Sequence, residues 1–183
     1  MNTKASCYAM RTDERFRRGP GLVIRVCGGT GLSVVEVGSY MGESAELFLA
    51  TGRVDRIYCV DPWKGGYDDK NSAASRSDMS MVEKAFDERL GGDVRVVKCK
   101  GTLSTAVLPE TADIVYIDGC HTYEACADDI KVAITRLNPG IVAGHDYGSP
   151  HFPGVKKAVD EAFGWPDVVL CDYSWIKFMR PLF

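Results

Sequence analysis

The chain has 183 residues, 45% of them hydrophobic and 26% charged, and a formal net charge of −3. That balance excludes a disordered tract, a collagen-like repeat and a disulfide miniprotein, and the length suits one domain with a short appendage. No apolar run approaches the roughly 20 residues that span a bilayer, and the one basic stretch, Arg11, Arg15, Arg17 and Arg18, reads as a solvated helix face, so neither membrane nor nucleic acid is expected as a partner.

Residues 1–20 carry no apolar stretch of signal-peptide type. Residues 1–31 read as a lead-in, helical over 12–27, ahead of the first strand. Cys27-Gly28-Gly29-Thr30-Gly31 is glycine-rich, but it precedes that strand and carries no lysine. It is therefore not a phosphate loop. Short apolar runs follow at 33–37, 56–60, 94–99, 114–117, 141–144, 167–171 and 175–179. Several are β-branched, as in strands buried on both faces. Helical patterns lie between them at 43–51, 79–90, 122–137 and 153–163. Asn138-Pro139-Gly140 stops the third of these, and Pro153 starts the fourth. The alternation predicts a doubly wound α/β sheet with helices on both faces. Residues 172–174 leave no room for a crossover, so the last two strands form a hairpin. The sheet then has seven strands, six parallel and one antiparallel. The stretch 64–78 is polar, irregular and long enough to be functional.

Seven cysteines, at 7, 27, 59, 99, 120, 126 and 171, form no C-x-x-C pair. Neither a disulfide framework nor a zinc ribbon is indicated, and a reducing, cytoplasmic location is expected. Cys27, Cys59, Cys99 and Cys171 sit in apolar runs and read as small buried hydrophobes.

In an open α/β sheet, ligands bind beyond the carboxyl ends of the strands. Those ends are polar here: Glu36-Val37-Gly38, then Asp61, Gly101, Asp118 and His145-Asp146. The first turn, Gly38-Ser39-Tyr40-Met41-Gly42-Glu43-Ser44, spaces its glycines as G-x-x-x-G. It is neither the dinucleotide fingerprint nor a P-loop. The helix after it offers free N–H groups to an anion. Asp61 stands where ribose hydroxyls are met by a carboxylate. A nucleoside with a carboxylate and no pyrophosphate is implied, and S-adenosylmethionine fits.

The stretch 36–44 resembles motif I of class I S-adenosylmethionine-dependent methyltransferases, and is similar to the catechol O-methyltransferase pattern. Ile117-Asp118-Gly119-Cys120-His121-Thr122-Tyr123-Glu124, Gly144-His145-Asp146-Tyr147 and Pro153-Gly154-Val155 resemble the small bacterial "family 24" branch, related to macrocin O-methyltransferases. The resemblance spans about 33–163. It implies a Rossmann-like single domain over 1–183 that moves a methyl group to a hydroxyl of a small molecule. It implies that Glu36, Gly38, Ser39, Tyr40, Gly42 and Ser44 hold the methionine end of the cofactor. Asp61, Pro62 and Trp63 would take the ribose and adenosine; Gly101, Thr102 and Leu103 would flank adenine. Asp118 and Gly119 would lie beside the sulfonium. In metal-dependent relatives the positions of Asp118, His145 and Asp146 bind magnesium. The histidine here departs from an all-oxygen set, which leaves three readings: His145 points elsewhere, the ion is a softer one, or there is no metal. The catechol enzymes' lysine base corresponds to His121, which gives His121, Asp118 and His145 as the catalytic candidates. A histidine near neutral pKa serves as a base without heavy tuning. Residues 64–78, 120–124 and 147–153 would shape the acceptor pocket. His151 reads as a surface residue, and Asp128 and Asp129 as solvated or salt-bridged.

Two further readings stand beside this one. One is a regulatory module that binds S-adenosylmethionine without catalysis; the other is a nicotinamide-dependent oxidoreductase. The polar set at Asp118, His121 and Asp146 favours chemistry over the first. The missing third glycine disfavours the second. A homo-oligomer is compatible with the sequence.

Overall fold

The computed structural model describes residues 13–180, apart from 69, 71 and 73. Arg11, Cys7 and the first residues of the lead-in lie outside them. The elements run α1 (Glu14–Cys27), β1 (Leu32–Val37), α2 (Glu43–Ala50), β2 (Val54–Asp61), α3 (Met79–Leu90), β3 (Val96–Lys100) and β4 (Ile114–Ile117). They continue with α4 (Tyr123–Val132), β5 (Ile141–Gly144), α5 (Pro153–Phe163), β6 (Val168–Val169) and β7 (Trp175–Phe178). No helix among the described residues is long and apolar enough to cross a membrane.

The sheet order is β3-β2-β1-β4-β5-β7-β6. Only β7 runs against the others, pairing antiparallel with both β5 and β6. Side-chain alternation sends Val34, Ile114, Tyr116 and Ile176 to a core with α1, α2 and α3. It sends Val35, Val37, Val115, Ile117 and Trp175 to the opposite core with α4 and α5.

Local chemistry explains the helix ends. Asp78 caps α3 by accepting from the Ser80 amide, and Thr122 caps α4 by accepting from the Ala125 amide. Pro153 opens α5, and Gly164 follows its last residue. The helix expected over 122–137 changes character, because Ala133–Leu137 is a π-turn closed by left-handed Asn138. The edge strand β6 is shorter than expected. Cys171 falls beyond it and is exposed, which corrects its reading as a buried hydrophobe. In the basic stretch, Arg18 pairs with Glu14 one turn away and stays mostly exposed, a solvated face as expected.

Strand register places the site. Val37 pairs with Val60 of β2 and Ile117 of β4, and Ile117 pairs with Gly144 of β5. The next residues, Gly38, Asp61, Asp118 and His145, therefore leave the sheet level with one another. The order reverses between β1 and β4, where ligands of such sheets bind.

Candidate active site

A cavity of about 440 Å³ opens at this rim. Its floor is the first turn. The Gly38 amide donates to the Val60 carbonyl at 2.8 Å, which keeps β1 and β2 together one step past the sheet. Tyr40 and Trp63 both have left-handed backbones, φ 48° and 42°, and Asp61 holds both. Its Oδ2 accepts the Tyr40 amide at 2.9 Å, and its Oδ1 accepts the Trp63 amide at 2.6 Å. Burial raises the Asp61 carboxyl above its usual range, and these two amides ease the rise.

Most residues expected to hold the cofactor line the cavity: Gly38, Ser39, Tyr40, Ser44, Asp61, Pro62, Gly101, Thr102, Leu103, Asp118 and Gly119. Three do not. Glu36 is fully buried under the turn, accepting from Ser39 Oγ at 2.6 Å. Gly42 is left-handed (φ 77°) and packs toward Leu90 and Phe86, where a Cβ would stand 2.6 Å from Leu90 Cδ1. Trp63 turns its ring onto Phe86, with centroids 5.0 Å apart, and donates Nε1–H to the Tyr40 carbonyl at 2.8 Å. Each supports the turn from behind instead of facing a ligand.

The opposite wall carries the titratable cluster. His121 Nδ1 lies 2.9 Å from Asp68 Oδ1, and its Nε2 lies 3.1 Å from Asp146 Oδ2 and 3.8 Å from Asp118 Oδ1. Phe152 stacks on the ring at 4.1 Å. His145 Nδ1 also meets Asp146 Oδ2 at 3.1 Å. Burial opposes charge on His121, but bonds to Asp118, Asp146 and Asp68 outweigh it and hold the imidazole well above its usual range. This corrects the expectation of an untuned, near-neutral histidine. Burial likewise opposes charge on Asp146, and the two imidazoles overcome it, holding the carboxyl well below its usual range. Asp146 adopts φ 62°, a strained backbone of the kind found at functional sites.

Ligand atoms of Asp118, His145 and Asp146 all lie within 4.8 Å of one another. Two carboxylates and one imidazole converging on one point fit a divalent cation that accepts nitrogen as well as oxygen.

Asp68 and Asp129 are among the cavity residues that sequence reasoning missed. Asp68 sits in the irregular stretch 64–78, where no periodicity marks a partner for His121. Asp129, read as solvated, is only 7% exposed and faces the cavity. His151, read as a surface residue, is exposed at the cavity's edge. The stretches 64–78, 120–124 and 147–153 all contribute to the wall.

Burial, aided by the neighbouring charge of Asp128, raises the Asp129 carboxyl to about 7. Between about 4, its value in the unfolded chain, and about 7, the folded protein keeps a proton that the unfolded chain has released. Stability is then lost as pH rises through that window, by up to about 4 kcal/mol. Urea unfolding at pH 5 and pH 7 checks this. The wild type should lose more stability on going to pH 7 than Asp129→Asn does. Parallel losses would contradict it.

The sequence profile of a family described as "Methyltransferase domain" matches residues 35–147. No curated protein matches by sequence. Solved structures are similar in fold. The O-methyltransferase NovP shares 19% identity at TM-score 0.63, over 90% of this chain and 78% of that one. CalS11, a TDP-rhamnose 3'-O-methyltransferase of calicheamicin biosynthesis, shares 16% at TM-score 0.62, over 93% and 81%. An O-methyltransferase from Bacillus cereus, solved with SAH, shares 14% at TM-score 0.57, over 93% and 81%.

Proposed function

We propose, from the premise that this chain belongs to that methyltransferase family, that it transfers the methyl group of S-adenosylmethionine to a hydroxyl of a small molecule. The observation that carries the reading is the level exit of Gly38, Asp61, Asp118 and His145. It puts a cradle suited to a nucleoside amino acid against a cluster suited to moving a proton, across one cavity.

The donor supplies an electrophilic methyl carbon on a sulfonium. Everything else falls to the chain. The first turn, with Ser39, Tyr40 and Ser44, holds the methionine end. Asp61 takes the ribose hydroxyls, with Pro62 beside them, and Gly101, Thr102 and Leu103 flank the base. Asp118 balances the positive charge, with Gly119 beside it. The acceptor oxygen attacks in line, the oxygen–carbon bond forms and the carbon–sulfur bond breaks. The hydroxyl proton passes to the cluster of His121, Asp146 and His145, in which Asp146 Oδ2 stands 3.1 Å from a nitrogen of each ring. Because the carboxylates favour the protonated imidazole of His121, its base form is the minor one at neutral pH, and the rate should rise with pH as His121 deprotonates. Alignment of this kind contributes about 7–11 kcal/mol in favourable cases. A divalent ion, if one is used, would be held by Asp118, His145 and Asp146, and would add Lewis-acid polarisation of the hydroxyl.

Labelled S-adenosylmethionine offered with a panel of phenols, deoxysugars, amines and thiols tests the reaction class. Label in an ether product is expected. Label only on amines or thiols would contradict the hydroxyl. With an accepted substrate, His121→Ala should lower kcat about 10²–10⁴-fold while S-adenosylhomocysteine affinity stays within about threefold. Equal loss of both would remove His121 from the proton path.

A further inference from the structure

The donor reading leaves one buried cavity carboxyl without work. Asp61 is engaged by two amides, Asp146 by two imidazoles and Asp68 by His121. Asp129 is as buried as Asp61 and Asp146, at 7% exposure, and faces the same cavity. Its carboxyl makes no hydrogen bond or ion pair among the described residues. A buried polar group is normally satisfied, and an exception calls for a missing partner.

Its surroundings say what that partner is. Asp129 projects from α4 beside Cys126 and Ile130, which share one apolar cluster with Leu103 and Ala106. Above it lies Gly119, where a Cβ would come within 3.6 Å of Asp129 Oδ2 and 3.2 Å of Val37 Cγ1. The missing side chain leaves the carboxyl open to the cavity. A largely apolar wall with a few convergent polar groups, here Asp129 with Tyr67 near enough to feel its charge, is the usual make-up of a small-molecule pocket.

We propose that Asp129 reads the nucleobase of the donor, pairing through its carboxyl with the exocyclic amine and adjacent ring nitrogen of adenine. The assignment rests on the proposed donor. On that reading Asp61 serves the ribose, and the first turn and Asp118 serve the amino-acid end. The base edge is the remaining polar part of the donor. Its chemistry matches: adenine offers an N–H donor beside a nitrogen acceptor. A carboxyl that burial keeps protonated to about pH 7 offers an acceptor beside a donor.

Calorimetric titrations compare S-adenosylhomocysteine with its analogue lacking the 6-amino group, purine in place of adenine. The wild type should bind the adenine compound at least about tenfold more tightly, because the analogue keeps the ring nitrogen but leaves the carboxyl's acceptor oxygen unpaired. Asp129→Asn, whose amide still accepts from the amine, should keep that preference within about threefold. Asp129→Leu should bind both compounds equally. Equal wild-type affinities, or a preference that survives in Asp129→Leu, would overturn the assignment. Failure of the wild type to bind S-adenosylhomocysteine at all would instead overturn the donor reading beneath it. Should the leucine variant not fold, the wild-type ratio and the asparagine variant decide alone.

Discussion

Gly38→Ala is expected to cost about 2–5 kcal/mol of stability, the largest loss foreseen for a single methyl group in this protein. Two physical terms add. Gly38 sits at φ +85°, where an L side chain costs roughly 1–2 kcal/mol. An added Cβ would also lie 2.0 Å from the Asp118 carbonyl oxygen and 2.6 Å from the Gly119 Cα. Those atoms are backbone, and the Asp118 amide is tied back to the Val37 carbonyl at 2.9 Å, so neither strand end can step aside cheaply. Overpacking of this kind costs roughly 1–3 kcal/mol more. Against a total stability of about 5–15 kcal/mol, the variant should show a sharply lowered urea midpoint. A midpoint equal to the wild type's would mean that β1 and β4 do not exit in contact.

Asp61→Ala should abolish measurable S-adenosylhomocysteine binding, at least about a hundredfold loss, and destabilise the protein by about 2–4 kcal/mol. The side chain has two tasks. It faces the cavity where the ribose is proposed to lie, and it holds the amides of Tyr40 and Trp63 in left-handed backbone. Hydrogen bonds to a charged acceptor contribute about 1.5–3 kcal/mol each, partly offset by relief from burying a carboxylate. Asp61→Asn should be intermediate, since its amide oxygen can serve one backbone N–H while its NH₂ group opposes the other. Calorimetry and chemical unfolding on both variants measure the two tasks separately. An alanine variant that binds S-adenosylhomocysteine within a few-fold of the wild type would contradict the ribose role.

Strong local signals carried much of this fold into view. The runs at 114–117 and 141–144 and the helices at 79–90 and 153–163 keep their bounds, since β-branched runs, the Asp78 cap and the Pro153 start leave little choice. The reversed strand was legible from the brevity of 172–174. Alternation could have placed Glu36, because Val35 and Val37 flank it and face α4 and α5. Asp129 also had a signal. It falls in the stripe Cys126, Ile130, Ala133, Leu137 on the buried side of its helix, and a carboxyl there is not a solvated one. Trp63 was misplaced because adjacency to Asp61 says nothing of the left-handed turn that swings its ring onto Phe86. The bond between Asp68 and His121 joins residues far apart in sequence, one of them in an aperiodic loop. Such a pairing is set by tertiary packing alone. It adds to the larger pull of Asp118 and Asp146 on the His121 imidazole.

The most direct test of the central claim is a calorimetric titration of the full chain with S-adenosylhomocysteine, with and without a divalent cation. Micromolar binding is predicted. A shift in affinity on adding manganese or magnesium would support the Asp118, His145 and Asp146 site as well. No heat of binding up to millimolar ligand would contradict S-adenosylmethionine as the donor.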